Sequence, residues 1–411
     1  MGLGPSTKST SLYHFNCPVV KELYAHSDIT CPGVIISGVP ENYCEKVFIA
    51  KRVGDLVESV EADGVIVITD GWGNHHIDFV NIIEVIGKRG IPTVGMSFFG
   101  LQGRLVYNSE YLETLIDFNK GTTGYESCCV GENHLSKLDA YKAVMILKNK
   151  IKKPIVQLSK QENFNQSKLT QFFYNITQVQ FGEITEIKNE ILFLSKNLPN
   201  ITNYSKWIDS VKVSIISPGE RSIYVNTNLD FFPIACKVSG ELGEGVTHIV
   251  DGVKVMLTGV EKKTGWQPAN IGSSEGKLAE KIVFNTPGTP EETDYIIGID
   301  VLFQEEAGKD KEGIRAAHAL ADQLIEPIRR ELKKMTSEPT RKMSYSKKKS
   351  NTQSKIVVVK IVSGLGCLYD TSVFPQQPAG YLGSYSMMEF SNLPLIVSCN
   401  QVLDGVIHSL L

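Results

Sequence analysis

The side chains best suited to chemistry crowd one stretch, Asp70-Gly71-Trp72-Gly73-Asn74-His75-His76-Ile77-Asp78. Imidazoles and carboxylates are the groups that move protons. The stretch follows the glycine-bounded, β-branched run Gly64-Val65-Ile66-Val67-Ile68-Thr69 and leads into an apolar-periodic segment, which reads as strand, polar loop and helix. In an open α/β sheet, ligands bind at the carboxyl ends of such strands, where free helix N–H groups converge. A plainer reading uses the same residues: Asp78 caps the helix, Gly71 and Gly73 supply turn geometry, and both histidines are solvated.

The elements that must position this loop alternate along the chain. Pro18 opens a helix running to about Ala25, 33–39 is a buried strand, and 42–60 is a helix with Val47, Ala50, Val53, Val57 and Val60 on one stripe. Asp78 to Lys88 is expected to be the next helix, 90–97 a third strand, and Leu135 to Lys150 a closing helix. Residues 1–150 therefore read as an α/β domain with a doubly wound, mainly parallel sheet.

Residues 151–176, rich in Gln and Asn, are expected to be a linker. In 177–336 the period changes to two, giving a mainly antiparallel, β-rich α+β domain. A hairpin turns at Lys188-Asn189, and strands at 245–250 and 252–260 are expected to turn at Asp251-Gly252. The domain ends in an amphipathic helix from Asp310 to Lys334, followed by a basic linker at 337–354. Residues 355–411 restart strands that return to the α/β part, the last at 404–408.

With 411 residues, 42% of them apolar, and a net charge of -3, the chain can build full-sized cores and gives no electrostatic reason to expect nucleic acid. No apolar run is long enough to span a bilayer, and no signal pattern opens the chain, so the expected setting is cytoplasmic. The eight cysteines form no Cys-x-x-Cys pair; most are expected to be reduced, with the vicinal Cys128-Cys129 structural. The absence of Gly-x-Gly-x-x-Gly and Walker patterns argues against nucleotides, and no metal is expected.

Several stretches resemble the glycine/sarcosine/betaine reductase component B and D-proline reductase proprotein family. Residues 179–189 (VQFGEITEIKN) look like its opening hairpin, and 217–221 (SPGER) and 243–252 (GEGVTHIVDG) like its next two signatures. The turn at 71–78 (GWGNHHID) is similar to its Gly-Phe-Gly-Asn-Pro-Asp-x-Asp loop, with His75 and His76 where the family has Pro and Asp. The order is permuted: 402–407 resembles the chain just before the family's self-cleaving cysteine, and 9–20 the chain just after it.

The resemblance implies reductive cleavage of a C–N bond in an amino acid or N-methylated glycine. It implies a pyruvoyl group as electron sink and a selenol or thiol on a partner subunit, within an oligomeric complex. No cysteine occupies the expected precursor position; Cys17 sits downstream of it, and Ser6 and Ser9 are the alternatives. On this reading Asn74 and the following helix N-terminus take the substrate carboxylate, His75 or His76 transfers a proton, and Asp78 orients an imidazole. Asp70, Gly71 and Gly73 line the loop, and His14 and Asn16 face the same site from the other side. The alternatives are a non-catalytic scaffold or assembly member of the same family and an unrelated small-molecule-binding protein.

Overall fold

The computed structural model describes residues 9–40, 42–69, 74–98, 103, 105–121, 129–151, 168–197, 200–261, 275–309, 311–346, 353–362 and 390–407. Glycine-bounded β-branched runs form its first sheet: β1 (Ile29–Thr30), β2 (Val34–Ser37), β3 (Gly64–Thr69), β4 (Thr93–Ser97), β5 (Leu115–Asp117), β17 (Ser354–Ile361) and β18 (Leu395–Val397). The order is β18-β2-β17-β3-β4-β5, with β1 also on β17. Every pairing is parallel except β18 with β2.

Helices cover both faces, which is why the strands are apolar throughout. On one face α3 (Tyr43–Ser59) and α4 (Asn74–Gly87) bury Val53, Val57, Phe79 and Ile83 against Val65, Val67, Val357 and Val359. On the other, α1 (Ser11–Phe15), α2 (Pro18–Ala25) and α5 (Lys137–Lys150) bury Tyr13, Val20, Ala140 and Val144 against Ile66, Ile68, Ile356 and Val358. Helix α4 starts four residues before the expected Asp78, so Asp78 lies inside the helix and does not cap it.

The second sheet joins β6 (Lys168–Asn175), β10 (Ile208–Ile216), β12 (Thr227–Ser239), β13 (Gly245–Glu261), β15 (Tyr295–Phe303) and β16 (Arg341–Ser346) in the order β10-β15-β13-β6-β16, with β12 on β13. Strands β6 and β16 fall in the stretches expected to be linkers, so both linker assignments are corrected. Their polar residues hid them: β6 carries Lys168, Gln171 and Asn175 among its buried apolar positions. Helix α7 (Lys311–Lys333) lays Ile314, Ala317, Ala321, Leu324, Ile328 and Leu332 on this sheet.

Asp251-Gly252 does not turn the chain. Strand β13 runs straight through it, pairing in parallel with β6 up to Asp251 and with β15 from Val253 onward. Gly252 marks the exchange with φ +80, where a β-carbon would strike the Ile176 carbonyl. The expected hairpin does form at β8 (Glu186–Lys188) and β9 (Ile191–Ser195), with Asn189 and Glu190 at φ 50 and 62, and β7 (Gln178–Gly182) adds in parallel to β9. The short β11 (Tyr224–Val225) and β14 (Gly276–Lys277) pair separately, beside α6 (Leu278–Lys281).

The strand expected at 404–408 does not form over its described residues: Asp404 is the C-cap of helix α8 (Cys399–Leu403), and a turn follows at Gly405. This helix joins the two sheets. Asp404 is buried and accepts from Lys237 Nζ at 2.5 Å, Thr247 Oγ1 at 2.6 Å and the Gly243 N–H at 2.8 Å, while Gln171 Nε2 donates to the Leu403 carbonyl at 2.7 Å. Cys31 and Cys399 are disulfide-bonded; among the described residues Cys17, Cys44 and Cys236 are free thiols.

Removing one member of a buried, hydrogen-bonded ion pair leaves the other charged group desolvated and uncompensated. Asp404→Ala is therefore expected to lower unfolding stability by about 3–5 kcal/mol in urea titration. A loss below about 1 kcal/mol, the range of exposed pairs, would show that this contact does not hold the sheets together.

Candidate functional site

The carboxyl edge of the first sheet is a polar row. Register places Ser37, Ile361, Thr69, Ser97 and Asp117 side by side at the ends of β2, β17, β3, β4 and β5. Ser37, Thr69 and Ser97 are all buried, and Thr69 Oγ1 has no hydrogen-bond partner. Polar ends on otherwise apolar strands set this edge apart from the core and make it the candidate ligand site.

Helix α4 covers one flank of the edge. His75 and His76 are buried rather than solvated, which removes the plainer reading of them. His76 Nε2 donates to the Tyr107 carbonyl at 3.1 Å, its ring lies 5.6 Å from that of Phe79, and Gly103 abuts it with no room for a β-carbon. Burial pushes both imidazoles down to about 4, and the Lys46 charge adds to this at His75, so both are neutral at pH 7.

Asp78 meets Lys46 rather than an imidazole. Lys46 Nζ lies 2.5 Å from Asp78 Oδ2, both side chains almost fully buried, and Asp78 Oδ1 has no partner. Burial outweighs the attraction of Lys46 and pushes Asp78 up to about 7. Lys46 was legible but overlooked: it falls four residues before Ala50 on the buried stripe of α3, where a lysine calls for a partner.

The opposite flank is built by α1. His14 Nδ1 lies 3.2 Å from Lys360 Nζ, both buried, with Lys360 5.6 Å from the Tyr13 ring centroid. Tyr13 in turn stacks on His134 at 4.7 Å, and His134 Nδ1 lies 2.9 Å from Thr286 Oγ1. His14 thus sits at the expected edge, but across the sheet from His75 and His76. Asn16 is spent on structure, donating to the Pro287 carbonyl at 3.0 Å and accepting from Lys21 at 2.9 Å. Lys360 also escaped notice, although a lone lysine in Ile356-Val357-Val358-Val359-Lys360-Ile361 is its own signal.

Asp70, Gly71, Gly73 and Ser6 lie outside the described residues, and Asn74 opens α4. Cys17 does not fit a pyruvoyl precursor. It is the buried N-cap of α2 in an apolar cluster with Val19 and Val20; its N–H donates to the His14 carbonyl and its carbonyl accepts from the Lys21 N–H. A processing cysteine must bring its sulfur onto the preceding carbonyl, and a backbone fixed on both sides resists that movement. Ser9 is buried beside α1, whose first residue, Ser11, gives both its N–H and hydroxyl to Asp230, at 2.9 and 2.6 Å. Among the described residues no His, Cys, Asp and Glu cluster is arranged to hold a metal, and no helix is long and apolar enough to cross a membrane.

The profile of the glycine/sarcosine/betaine reductase component B subunits matches residues 3–104 and 167–409. The D-proline reductase proprotein PrdA of Acetoanaerobium sticklandii is 32% identical over 240 residues, covering 58% of this chain and 38% of that protein. The betaine reductase complex component B subunit alpha of Peptoclostridium acidaminophilum is 35% identical over 96 residues, 23% of this chain and 22% of that one. The glycine reductase complex component B subunits alpha and beta of Acetoanaerobium sticklandii are 26% identical over 251 residues, 57% of this chain and 54% of theirs. The chain therefore spans little more than half, or less, of the length of these relatives. No solved structure matches.

The depressed histidines set a pH dependence. A group whose folded pKa is about 4 against 6.5 unfolded contributes stability that is complete above 6.5 and lost as pH falls towards 4. Asp78 has the opposite sign, losing its contribution as pH rises from 3.8 towards about 7, so the wild-type curve is a sum. The difference between wild type and the His75→Gln/His76→Gln variant isolates the histidines. It is expected to shrink in the wild type's disfavour by on the order of 3 kcal/mol per fully shifted histidine between pH 7 and pH 4, read from urea midpoints. A pH-independent difference would mean that the imidazoles are not desolvated.

Proposed function

Because the chain belongs to the family of glycine/sarcosine/betaine reductase component B subunits, we propose that it is the substrate-handling subunit of an amino-acid reductase complex. The observation that carries this reading is that the family match takes in the second sheet, every strand of the first sheet but β5, the α1 and α4 flanks and the joining helix α8. The reaction proposed is reductive C–N cleavage of an amino acid or N-methylated glycine. The α-carbon to nitrogen bond breaks and a carbon–hydrogen bond replaces it; a selenol or thiol of a partner subunit, together with a second thiol, supplies the two electrons and ends as a selenenyl sulfide or disulfide, and their two protons go to the α-carbon and to the departing amine. The complex is proposed to be cytoplasmic.

Within this reading the α4 flank moves protons. Asp78, held near 7, can give up a proton at neutral pH, and the neutral imidazoles of His75 and His76 can accept one. The N-terminus of α4, opening at Asn74, offers free N–H groups to an anionic part of the substrate.

A second reading, a scaffold or assembly member without the electrophilic carbonyl, draws support from the placement of Cys17 in an apolar cluster. Intact mass before and after borohydride or phenylhydrazine separates the two. A reductase subunit that carries its own pyruvoyl is expected to give a carbonyl adduct on a processed chain. An unreactive mass equal to all 411 residues would leave the scaffold reading in front.

A further inference from the structure

Four Lys or Arg side chains are buried among the described residues: Lys46, Lys237, Arg329 and Lys360. Three have a buried carboxylate: Lys46 has Asp78, Lys237 has Asp404, and Arg329 has Asp322 at 2.9 Å. Lys360 has none. Its partners are the His14 ring nitrogen at 3.2 Å and the face of Tyr13. Isolated burial of an ammonium is costly, and the other three sites show how this fold ordinarily compensates it.

The position of Lys360 gives that cost a purpose. It lies one residue before the end of β17, between Ile36 and Ile68 of the flanking strands, at the same carboxyl edge as the polar row. An ammonium has three donors; one is directed at His14 Nδ1, leaving two. Two N–H donors and a positive charge are what a carboxylate accepts. Thr10 and Asn16 tie α1 to the carbonyls of Gly288 and Pro287, so His14 is held in place whether or not a ligand is present.

We propose that Lys360, oriented by His14, is a binding site for the carboxylate of a small organic acid, and that in the reaction proposed above this is the substrate's carboxylate. The second half of that statement rests on the reductase reading; the first does not. Lys360 then does the work that the helix N-terminus at Asn74 would otherwise do alone.

The test is calorimetric titration of the full chain and of Lys360→Met. One set of probes is glycine, sarcosine, betaine and D-proline, a second is acetate and propionate, and a third is methylamine and pyrrolidine. Carboxylate probes are expected to bind the wild type and to weaken about 10–100-fold in K360M, the range for a hydrogen bond to a charged group, with the amines unchanged. Acetate and propionate binding that depends on Lys360, with no amino acid bound, would uphold the anion site and sink the reductase reading. Amino acids binding both proteins alike would overturn the site and leave the reductase reading standing. No carboxylate bound by the wild type would also overturn the site. Melting of ligand-free K360M is the second measurement: a melting point at or above that of wild type is expected, because an uncompensated charge has been removed. A marked fall would make the ammonium structural and overturn the proposal.

Discussion

The first sheet depends on a strand that arrives late in the chain. Strands β2 and β3 do not touch; each pairs with β17, whose residues come some 290 positions after β3 in the chain. Ile356, Val357, Val358 and Val359 are fully buried, and complete burial of each such side chain is worth about 1.5–3 kcal/mol relative to exposure. Without β17 the parallel sheet has a gap at its centre and two unpaired inner edges. The ligand-facing edge is therefore complete only when the far segment has docked, and the same event brings Lys360 to His14.

The second sheet is what makes that docking specific. It holds α1 through Asp230, which takes both the N–H and the hydroxyl of Ser11, and the loop leading into β15 adds the carbonyls of Gly288 and Pro287. It holds α8 through Lys237, Thr247 and the Gly243 N–H around Asp404. The two segments that resemble the family's chain on either side of its processing point are thus clamped by one sheet, and their residues share the cluster that contains Tyr13, Cys17, Val402 and Leu403. Their adjacency in space means that the chain could be joined or opened at that point without disturbing the contacts between them.

What the sequence made legible was local. Runs such as Val65 to Ile68 and Ile356 to Val359 announce buried parallel strands, and the stripe of α7 announces its buried face. Pairing is not local: nothing in Ser354 to Ile361 says that it inserts between β2 and β3. Asp251-Gly252 shows the same limit, since a strong turn pair became an exchange point once β6 and β15 each claimed half of β13. In the crowded turn the histidines were legible only as residue types. The contacts that cover His76 come from Tyr107 and Gly103, beyond the next strand.

The distribution of charge across the edge is self-consistent. On the α4 flank Lys46 faces Asp78, and because burial holds Asp78 near 7, that carboxylate only partly cancels its partner at neutral pH. On the α1 flank Lys360 meets no carboxylate among the described residues. Both flanks therefore lean positive, which helps to keep His75 unprotonated and makes an arriving anion welcome. Linkage then runs both ways. An anion bound at the edge lowers the cost of protonating nearby groups, and a proton taken up there tightens the anion. On the proposed reading, an edge that gains proton affinity when an anion docks would couple substrate binding to the supply of the proton that the departing amine carries away.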